Sequence, residues 1–295
     1  MSNFIVFQVY GKDYIFNECF YAILSILNKK PSQPFTFLIY TDQPQKFDWL
    51  QLPNCTLETL SNDTIQLYKG EIDFVHRVKI KVLEHALSNY KGNFIYLDTD
   101  MYALTDITEL FKQINTTQTL MHEQEGSIKS KYNLVAKKIY KFVNTHLDWL
   151  KSKNITLDLY TIMYNAGVIG ISNEHKSVVA KVLSDTDIIY PIFPSHIVEQ
   201  ISFSLELKNH SKVIDTSDVL FHYWFFKEYR AILAEFFDYH FQKGSSIKNV
   251  MDKMVQIDPI KLSSPKLNYI QAGFFNKIYK RVFEKKWTTP KYQLD

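Results

Sequence analysis

Two aspartates separated by a single threonine, Asp98 and Asp100, follow an apolar, β-prone segment in the stretch FIYLDTDMYAL. In an extended chain, side chains two residues apart point to the same side, about 7 Å from one another, and a turn brings them closer. Their carboxylate oxygens suit Mg²⁺ or Mn²⁺ at an open site, where the ion keeps positions for water and substrate phosphates. The alternative is that the pair forms an Asx turn that caps the segment before Ile107.

The surrounding pattern predicts an α/β fold with a mostly parallel sheet flanked by helices. Apolar strands are predicted at residues 4–10, 35–40, 55–60 and 94–97, in alternation with helices that carry core-facing apolar stripes. The first helix has Asn17 as a candidate cap, and a helix at residues 75–90 leads into the strand before Asp98. In open sheets of this kind, ligands bind beyond the carboxyl ends of the strands, where both aspartates fall.

The second half of the chain continues the alternation after an interruption. A Lys-rich, helix-like segment at residues 127–154 is interpreted as an insertion or lid between two halves. A strand-like run at residues 160–171 then carries Asn165, Ala166 and Gly167. Helices are predicted at residues 174–183 and 197–207, and a last strand at residues 219–223.

Composition excludes several classes of protein. A chain of 295 residues with 46% hydrophobic content can bury a large core as one domain or two joined halves. A formal charge of +3 is too balanced for the broad basic face that binds nucleic acids. Two cysteines, Cys19 and Cys55, make no disulfide framework and lack metal-ligand spacing, as is typical of a reducing compartment. Without a basic leader or a run of ~20 apolar residues, the protein is expected to be cytoplasmic.

The segment RVKIKVLEHALSNYKGNFIYLDTDMYAL, residues 77–104, resembles the nucleotide-sugar-dependent glycosyltransferases of the GT-A fold. It is most similar to glycosyltransferase family 8, which includes glycogenin and bacterial lipopolysaccharide galactosyl- and glucosyltransferases. Family members carry, in this order, a helix with Arg or Lys, an Asp-x-Asp strand, an Asn-Ala-Gly or Asn-Ser-Gly strand, an Asp-Gln helix and a late His-Tyr strand. This chain shows those elements in that order over about residues 3–230, with Glu in place of the Asp of the Asp-Gln helix. The resemblance implies a Rossmann-like GT-A domain at residues 1–230, with a nucleotide-binding half (1–125), a helical insertion (126–158) and an acceptor-side half (159–230). Residues 231–295 would form a helical C-terminal region.

The same resemblance implies a metal site. Asp98 and Asp100 would bind Mn²⁺ or Mg²⁺ that bridges the diphosphate of a UDP-sugar, with His222 of LFHYW as the third protein ligand. A divalent cation neutralises the charge that develops when a diphosphate leaves. A lone histidine on an apolar strand is otherwise a core or turn residue whose ring is satisfied by its neighbours.

The resemblance assigns further residues to the donor. Arg77 and Lys81, four residues apart on one helix face, would contact donor sugar or phosphate, with a solvated charged face that includes Lys79 as the alternative. Asn165 would offer its amide to the donor sugar, unless its segment is an ordinary strand bulge. Lys227 lies at nearly the spacing of a family lysine that meets the diphosphate, although the family's intervening glycine is absent. The remaining donor-site assignments are Tyr10, Tyr14, Asp42, Asp98 and Thr99, with the two tyrosines either stacking on the base or packing at the surface.

Glu199 and Gln200 occupy the place of the family's Asp-Gln pair and are implied to be catalytic, holding sugar hydroxyls and stabilising positive charge at the anomeric carbon. The alternative for Glu199 is an exposed first-turn acid that favours the helix dipole. The implied activity is a metal-dependent transfer of a hexose from a UDP-sugar to a hydroxyl of a glycan or lipid-linked saccharide, with retention of anomeric configuration. An inverting enzyme would need a base against the acceptor hydroxyl, a role that stays open to Glu199.

Two alternatives come from other functional classes. A sugar-phosphate nucleotidyltransferase also uses an α/β sheet and carboxylate-bound Mg²⁺, but it needs a Gly- and Lys-rich phosphate loop, of which VYGKDYIFNE is a poor version. A catalytically silent sugar- or nucleotide-binding module is disfavoured by the presence of both carboxylates and a candidate third ligand.

The tail FFNKIYKRVFEKKW, residues 274–287, mixes apolar and basic residues. Such an amphipathic stretch can lie on anionic lipid, where each cation contributes ~1 kcal/mol, and would place the protein on the inner face of the membrane. The alternative is a helix packed on its own domain with its lysines solvated.

Overall fold

The protein is described by a computed structural model that covers residues 2–131, 133–273, 276, 277, 279 and 286–294. The strands are β1 (Ser2–Val9), β2 (Thr36–Thr41), β3 (Cys55–Thr59), β4 (Gly92–Leu97), β5 (Met101–Ala103), β6 (Gln118–Met121), β7 (Gln124–Ser127), β8 (Ile162–Tyr164), β9 (Val168–Ser172), β10 (Lys212–Asp215) and β11 (Leu220–His222). The α-helices are α1 (Asp13–Asn28), α2 (Asn62–Lys69), α3 (Arg77–Asn89), α4 (Leu134–Ser152), α5 (Lys176–Ile189), α6 (Val198–His210), α7 (Tyr229–Gln242), α8 (Ile247–Lys253) and α9 (Pro259–Gln271). Short 3₁₀ helices span Pro44–Leu50, Ile107–Gln113, Ile128–Ser130, Asn173–His175 and Met254–Ile257.

A seven-stranded sheet in the order β10-β6-β9-β4-β1-β2-β3 forms the centre of the molecule. Strand β9 runs antiparallel to its neighbours β4 and β6, and the other paired strands of this sheet are parallel. Alternate residues of β1 face opposite layers: Ile5 and Phe7 pack in the core with α1 and α7, whereas Phe4 and Val6 pack with α3 and α5. The predicted α/β class, with a mostly parallel central sheet flanked by helices, is confirmed.

Two local predictions were wrong in detail. The run at residues 160–171 is two strands rather than one, because β8 pairs with β7 whereas β9 pairs with β4 and β6. The chain changes partners at Asn165, whose backbone N–H and C=O bond with Glu123 and His122. Asn17 does not cap the first helix, since α1 begins at Asp13 and Asn17 lies in its second turn.

The C-terminal region packs on the sheet domain through α7, which contacts α1. The predicted membrane-binding tail lies largely outside the described residues, because residues 274, 275, 278 and 280–285 are not among them. Trp287 packs on the main core, with its ring 6.1 Å from that of Phe226 and the Lys266 ammonium 4.9 Å from its centroid. Among the described residues, no helix is both long enough and apolar enough to cross a bilayer.

A buried pair of carboxyl groups, Asp185 on α5 and Glu206 on α6, is expected to make stability depend on pH. Burial, and then the charge of Asp185, raise the pKa of Glu206 to about 7, with Lys181 bonded to Asp185 and His210 lying 3.7 Å from Glu206. The folded protein therefore keeps a proton that the unfolded chain releases above about pH 4.5. Stability is full below that pH and falls as the pH rises towards about 7.

In the Glu206→Gln variant the free energy of unfolding should fall less between about pH 5 and about pH 8 than it does in the parent protein. Chemical denaturation at the two pH values measures this difference. Substitution of the exposed Glu174 by glutamine is the matched control and should leave the loss unchanged. A parent protein equally stable at both pH values would contradict the expectation.

Candidate functional site

The three predicted metal ligands converge at one edge of the sheet. Asp98 follows β4 directly, and Asp100 immediately precedes β5. The antiparallel pairing of β5 with β11 sets His222 opposite Met101, and so beside Asp100. One ligand atom from each of Asp98, Asp100 and His222 lies within 4.8 Å of the others, and His222 Nε2 is 2.9 Å from Asp100 Oδ1.

This donor set fits a hard divalent ion. Carboxylate oxygens suit Mg²⁺ and Mn²⁺, and the imidazole nitrogen adds a ligand that is typical of transition-metal sites, which favours Mn²⁺ over Mg²⁺. Octahedral bonds of about 2.1 Å separate neighbouring ligand atoms by about 3 Å and opposite ones by about 4.2 Å, close to the spread of this cluster. Nε2 of His222 faces a carboxylate oxygen, and that contact is favourable only with a cation there, either a ring proton or a metal ion.

Asn165 fixes the orientation of the His222 ring. Its Oδ1 accepts hydrogen bonds from Gly167 N–H at 2.9 Å and from His222 Nδ1–H at 3.0 Å. An oxygen that accepts from both sides keeps a proton on Nδ1, so Nε2 can carry either a proton directed at Asp100 or a metal ion. The predicted contact of Asn165 with a donor sugar stays a prediction, since the structure shows its oxygen engaged with the histidine.

Gly167 is required by the close approach of His222. A Cβ atom at this position would lie 2.6 Å from His222 Cε1 and 2.7 Å from Nδ1. Gly167→Ala is therefore expected to displace the ring and weaken Mn²⁺ binding at least about 10-fold in a calorimetric titration. Gly273→Ala is the matched control, because its added methyl meets no atom within 4 Å. Unchanged Mn²⁺ affinity in the Gly167 variant would remove His222 from the ligand set.

Lys79 reaches Asp98, whereas Arg77 and Lys81, the residues predicted to contact the donor, bond elsewhere. Successive helical residues are rotated by about 100°, so Lys79 faces almost opposite to Arg77 and Lys81. Arg77 instead forms a two-pronged ion pair with Asp187 at 2.7 and 3.0 Å, and Lys81 pairs with Glu84. The structure therefore does not bring Arg77 or Lys81 to the metal-ligand cluster.

The Lys79 ammonium is buried between two carboxylates. It lies 3.0 Å from Asp98 Oδ1 and 2.7 Å from Glu199 Oε1, and it donates to the carbonyl of Ala166 at 3.0 Å. Although burial lowers the pKa of Lys79, the charges of Asp98 and Glu199 outweigh burial and raise that pKa above its usual value. Lys79 therefore stays charged and ties the start of α6 to the end of β4.

A sequence signal for Lys79 existed. It lies four residues after Val75 and three before Val82, on the apolar stripe of the helix rather than its polar face. The interpretation of Glu199 as an exposed first-turn acid was also wrong, since its side chain is only 5% exposed. Gln200 is buried beside it and donates to Glu125 at 2.9 Å.

A cleft opens over the metal-ligand cluster as two adjoining cavities of about 340 and about 280 Å³. Four residues line both cavities: His76, Lys79, Asp98 and Asp100. The predicted residues that line the larger cavity are Asn165, Glu199, Gln200, His222 and Lys227. Those that line the smaller cavity are Tyr10, Tyr14 and Thr99. Asp98 and Asp100 thus face a cleft, rather than bulk solvent or the core.

Two further predicted donor residues differ in their relation to this cleft, since Asp42 lines neither cavity whereas Lys227 lines the larger one. Asp42 accepts a hydrogen bond from Gly11 N–H at 3.1 Å, and burial followed by the charge of Asp42 raises the pKa of Tyr10. Lys227 Nζ lies 3.6 Å from Asp100 Oδ2, with its side chain 54% exposed. Burial raises the pKa of Asp100, but His222 and Lys227 outweigh burial and hold it well below its usual range.

Comparisons with known proteins give a distant structural likeness. No protein-family model and no curated protein matches the sequence. Among solved structures, the chain is similar to the apo form of mouse xyloside xylosyltransferase 1, with a TM-score of 0.48 and 12% sequence identity. The likeness covers 73% of this chain and 86% of that chain. A likeness this distant does not define an activity, which depends on the site itself.

Proposed function

We propose that the protein is a metal-dependent glycosyltransferase of the GT-A type, similar to family 8, which moves a hexose from a UDP-sugar to a hydroxyl of a glycan or lipid-linked saccharide. The observation that supports it most is the convergence of Asp98, Asp100 and His222 on the floor of a two-part cleft. A divalent cation bound there would stabilise the negative charge of a departing nucleoside diphosphate.

The two cavities divide the substrate between them in this proposal. The smaller one, beside Tyr10, Tyr14 and Thr99, takes the nucleoside, since its aromatic side chains offer faces for a base. The larger one takes the transferred sugar and the acceptor, because the Asn165 amide N–H groups and the Gln200 amide oxygen, which line it, suit hydroxyl groups. The diphosphate then lies where the cavities meet, over Asp98 and Asp100.

Retention of configuration is favoured over inversion. Glu199 is the candidate base for an inverting reaction, but its Oε1 lies 2.7 Å from the Lys79 ammonium. That oxygen is engaged with the ammonium and is not free to take a proton from an acceptor hydroxyl, whereas the ion-paired carboxylate can still balance positive charge at the anomeric carbon. In the retaining reaction the bond from the anomeric carbon to the phosphate oxygen breaks, the electron pair leaves with the diphosphate, and the acceptor oxygen attacks on the same face. The leaving phosphate oxygen then accepts the proton of the acceptor hydroxyl.

A panel of nucleotide sugars incubated with Mn²⁺ tests this proposal. Slow release of UDP from one UDP-sugar without acceptor, suppressed by a chelator, is the expected result. Release of pyrophosphate from a nucleoside triphosphate and a sugar phosphate would identify a nucleotidyltransferase instead. Binding of UDP without any turnover, tested across the panel with glycan and lipid-linked acceptors, would favour a silent binding module.

A further inference from the structure

A charged pair outside the predicted site lines the smaller cavity. Glu18 on α1 is buried, with 3% of its surface exposed, and Arg230 on α7 donates from Nε to Glu18 Oε1 at 2.8 Å. These two residues lie 212 positions apart in the chain, and only the packing of α1 against α7 brings them together. A buried carboxylate of this kind needs a cation close by.

The Arg230 guanidinium is held in a defined orientation with donors to spare. Its carbon lies 3.9 Å from the centroid of the Tyr14 ring, so the planar group stacks on that ring. Within the part of the chain that the structure describes, Nε is the one nitrogen of the group that donates to a protein acceptor. The terminal N–H groups, with the planar geometry that suits phosphate oxygens, are left for another partner.

The pair lies next to the metal-ligand cluster. Glu18 and Arg230 line the same cavity as Asp98, Thr99 and Asp100, and the Thr99 hydroxyl lies 3.5 Å from Glu18 Oε2. Arg230 therefore flanks the metal position from the nucleoside side of the cleft. Lys227, which is paired with Asp100, lines the larger cavity.

The cations of the cleft are not equally available to a diphosphate. Ion pairs that line the cleft join the carboxylates Glu18, Asp98, Asp100 and Glu199 to the cations Lys79, Lys227 and Arg230. Lys79 is enclosed between two carboxylates, whereas Lys227 and Arg230 each pair with one carboxylate and have side chains 54% and 29% exposed. Lys227 and Arg230 are therefore the cations best placed to meet a diphosphate over the metal position.

We propose that Arg230, oriented by Glu18 and Tyr14, binds the diphosphate of the donor nucleotide from the side opposite Lys227. This inference rests on the proposed function and extends it to a residue outside the motifs of the sequence. Glu18 is a positioning residue, because it acts on the phosphate only through the guanidinium.

Calorimetric titration of the full chain with UDP, UMP and uridine, each with Mn²⁺, tests the inference. Arg230→Gln should weaken UDP binding about 10- to 100-fold, the usual effect of losing charge-assisted hydrogen bonds. Binding of uridine should change less than about two-fold, because a nucleoside has no phosphate. Arg230→Lys, which keeps the charge without the planar group, should fall between. Lys243→Gln on the exposed end of α7 carries the same charge change and should bind UDP like the parent.

The outcomes separate the inference from the proposed function. If the parent binds UDP and Arg230→Gln binds it equally well, the inference is wrong and the proposed function survives. Equal weakening of UDP and uridine would also overturn it, since Arg230 would then support the base through Tyr14. If the parent binds no UDP with Mn²⁺, the proposed function fails and the inference with it.

Discussion

Asp100→Asn should lower Mn²⁺-stimulated hydrolysis of a UDP-sugar at least about 100-fold, because the variant loses a charged metal ligand. Loss of a residue that only orients a ligand typically costs about 10- to 100-fold in metal affinity or activity, and loss of the ligand itself should cost more. The carboxylate of Asp100 lies 2.9 Å from His222 Nε2 and 3.6 Å from Lys227 Nζ, so it links the metal position to both side chains. An amide oxygen in its place is neutral and binds hard cations weakly. The residual rate should no longer respond to a chelator.

Folding of this variant should be preserved, because asparagine has the shape of aspartate, its amide oxygen can accept from His222, and Lys227 remains exposed to water. Thermal unfolding, monitored by circular dichroism, measures the stability of the variant. Asp238→Asn, on the exposed face of α7, is the control with the same chemical change and should keep full hydrolysis. Turnover of Asp100→Asn equal to that of the parent, with chelator sensitivity intact, would rule out the metal site.

Lys79→Met should lower the free energy of unfolding by about 3–5 kcal/mol, the usual cost of leaving a buried charge without its partner. The Lys79 side chain is 7% exposed and that of Glu199 is 5% exposed, so water cannot replace the lost ammonium at Glu199. Asp98 is 30% exposed and should suffer less. Urea denaturation near pH 7 measures the change.

A second substitution separates the charge effect from packing. In Lys79→Met with Glu199→Gln, no uncompensated charge is left at Glu199, so part of the lost stability should return. Lys81→Met is the helix control. The side chains of Lys81 and Glu84 are 24% and 30% exposed, so water can solvate the charge left on Glu84 and the change should stay within about 1 kcal/mol. If Lys79→Met were as stable as the parent, the buried ion pair would not stabilise the start of α6.

The sequence predicted the parts of the site that depend on neighbours in the chain. Alternation of apolar strands and helices predicted the mostly parallel sheet, and the strand before Asp98 and Asp100 placed both at its carboxyl end. The same reasoning missed that residues 160–171 split at Asn165, because a change of pairing partner leaves no local pattern. It also placed Arg77 and Lys81 at the site instead of Lys79. A lysine is buried only where it meets charged partners, and the sequence does not show which carboxylates will surround Lys79.

Local sequence determined where the strands and helices form and that two carboxylates end a buried strand, because backbone pattern and periodicity act over a few residues. Tertiary structure decided which distant side chains meet: His222 lies 122 residues from Asp100, and Arg230 lies 212 residues from Glu18. His222 was predicted as a ligand only through the resemblance to family 8, and the contact between Arg230 and Glu18 was not predicted. Such contacts are set by sheet pairing and helix packing, whose energies depend on the whole fold. The partner charges that stabilise Lys79 and Glu18 in buried positions come from distant parts of the chain and are therefore identified only in the folded structure.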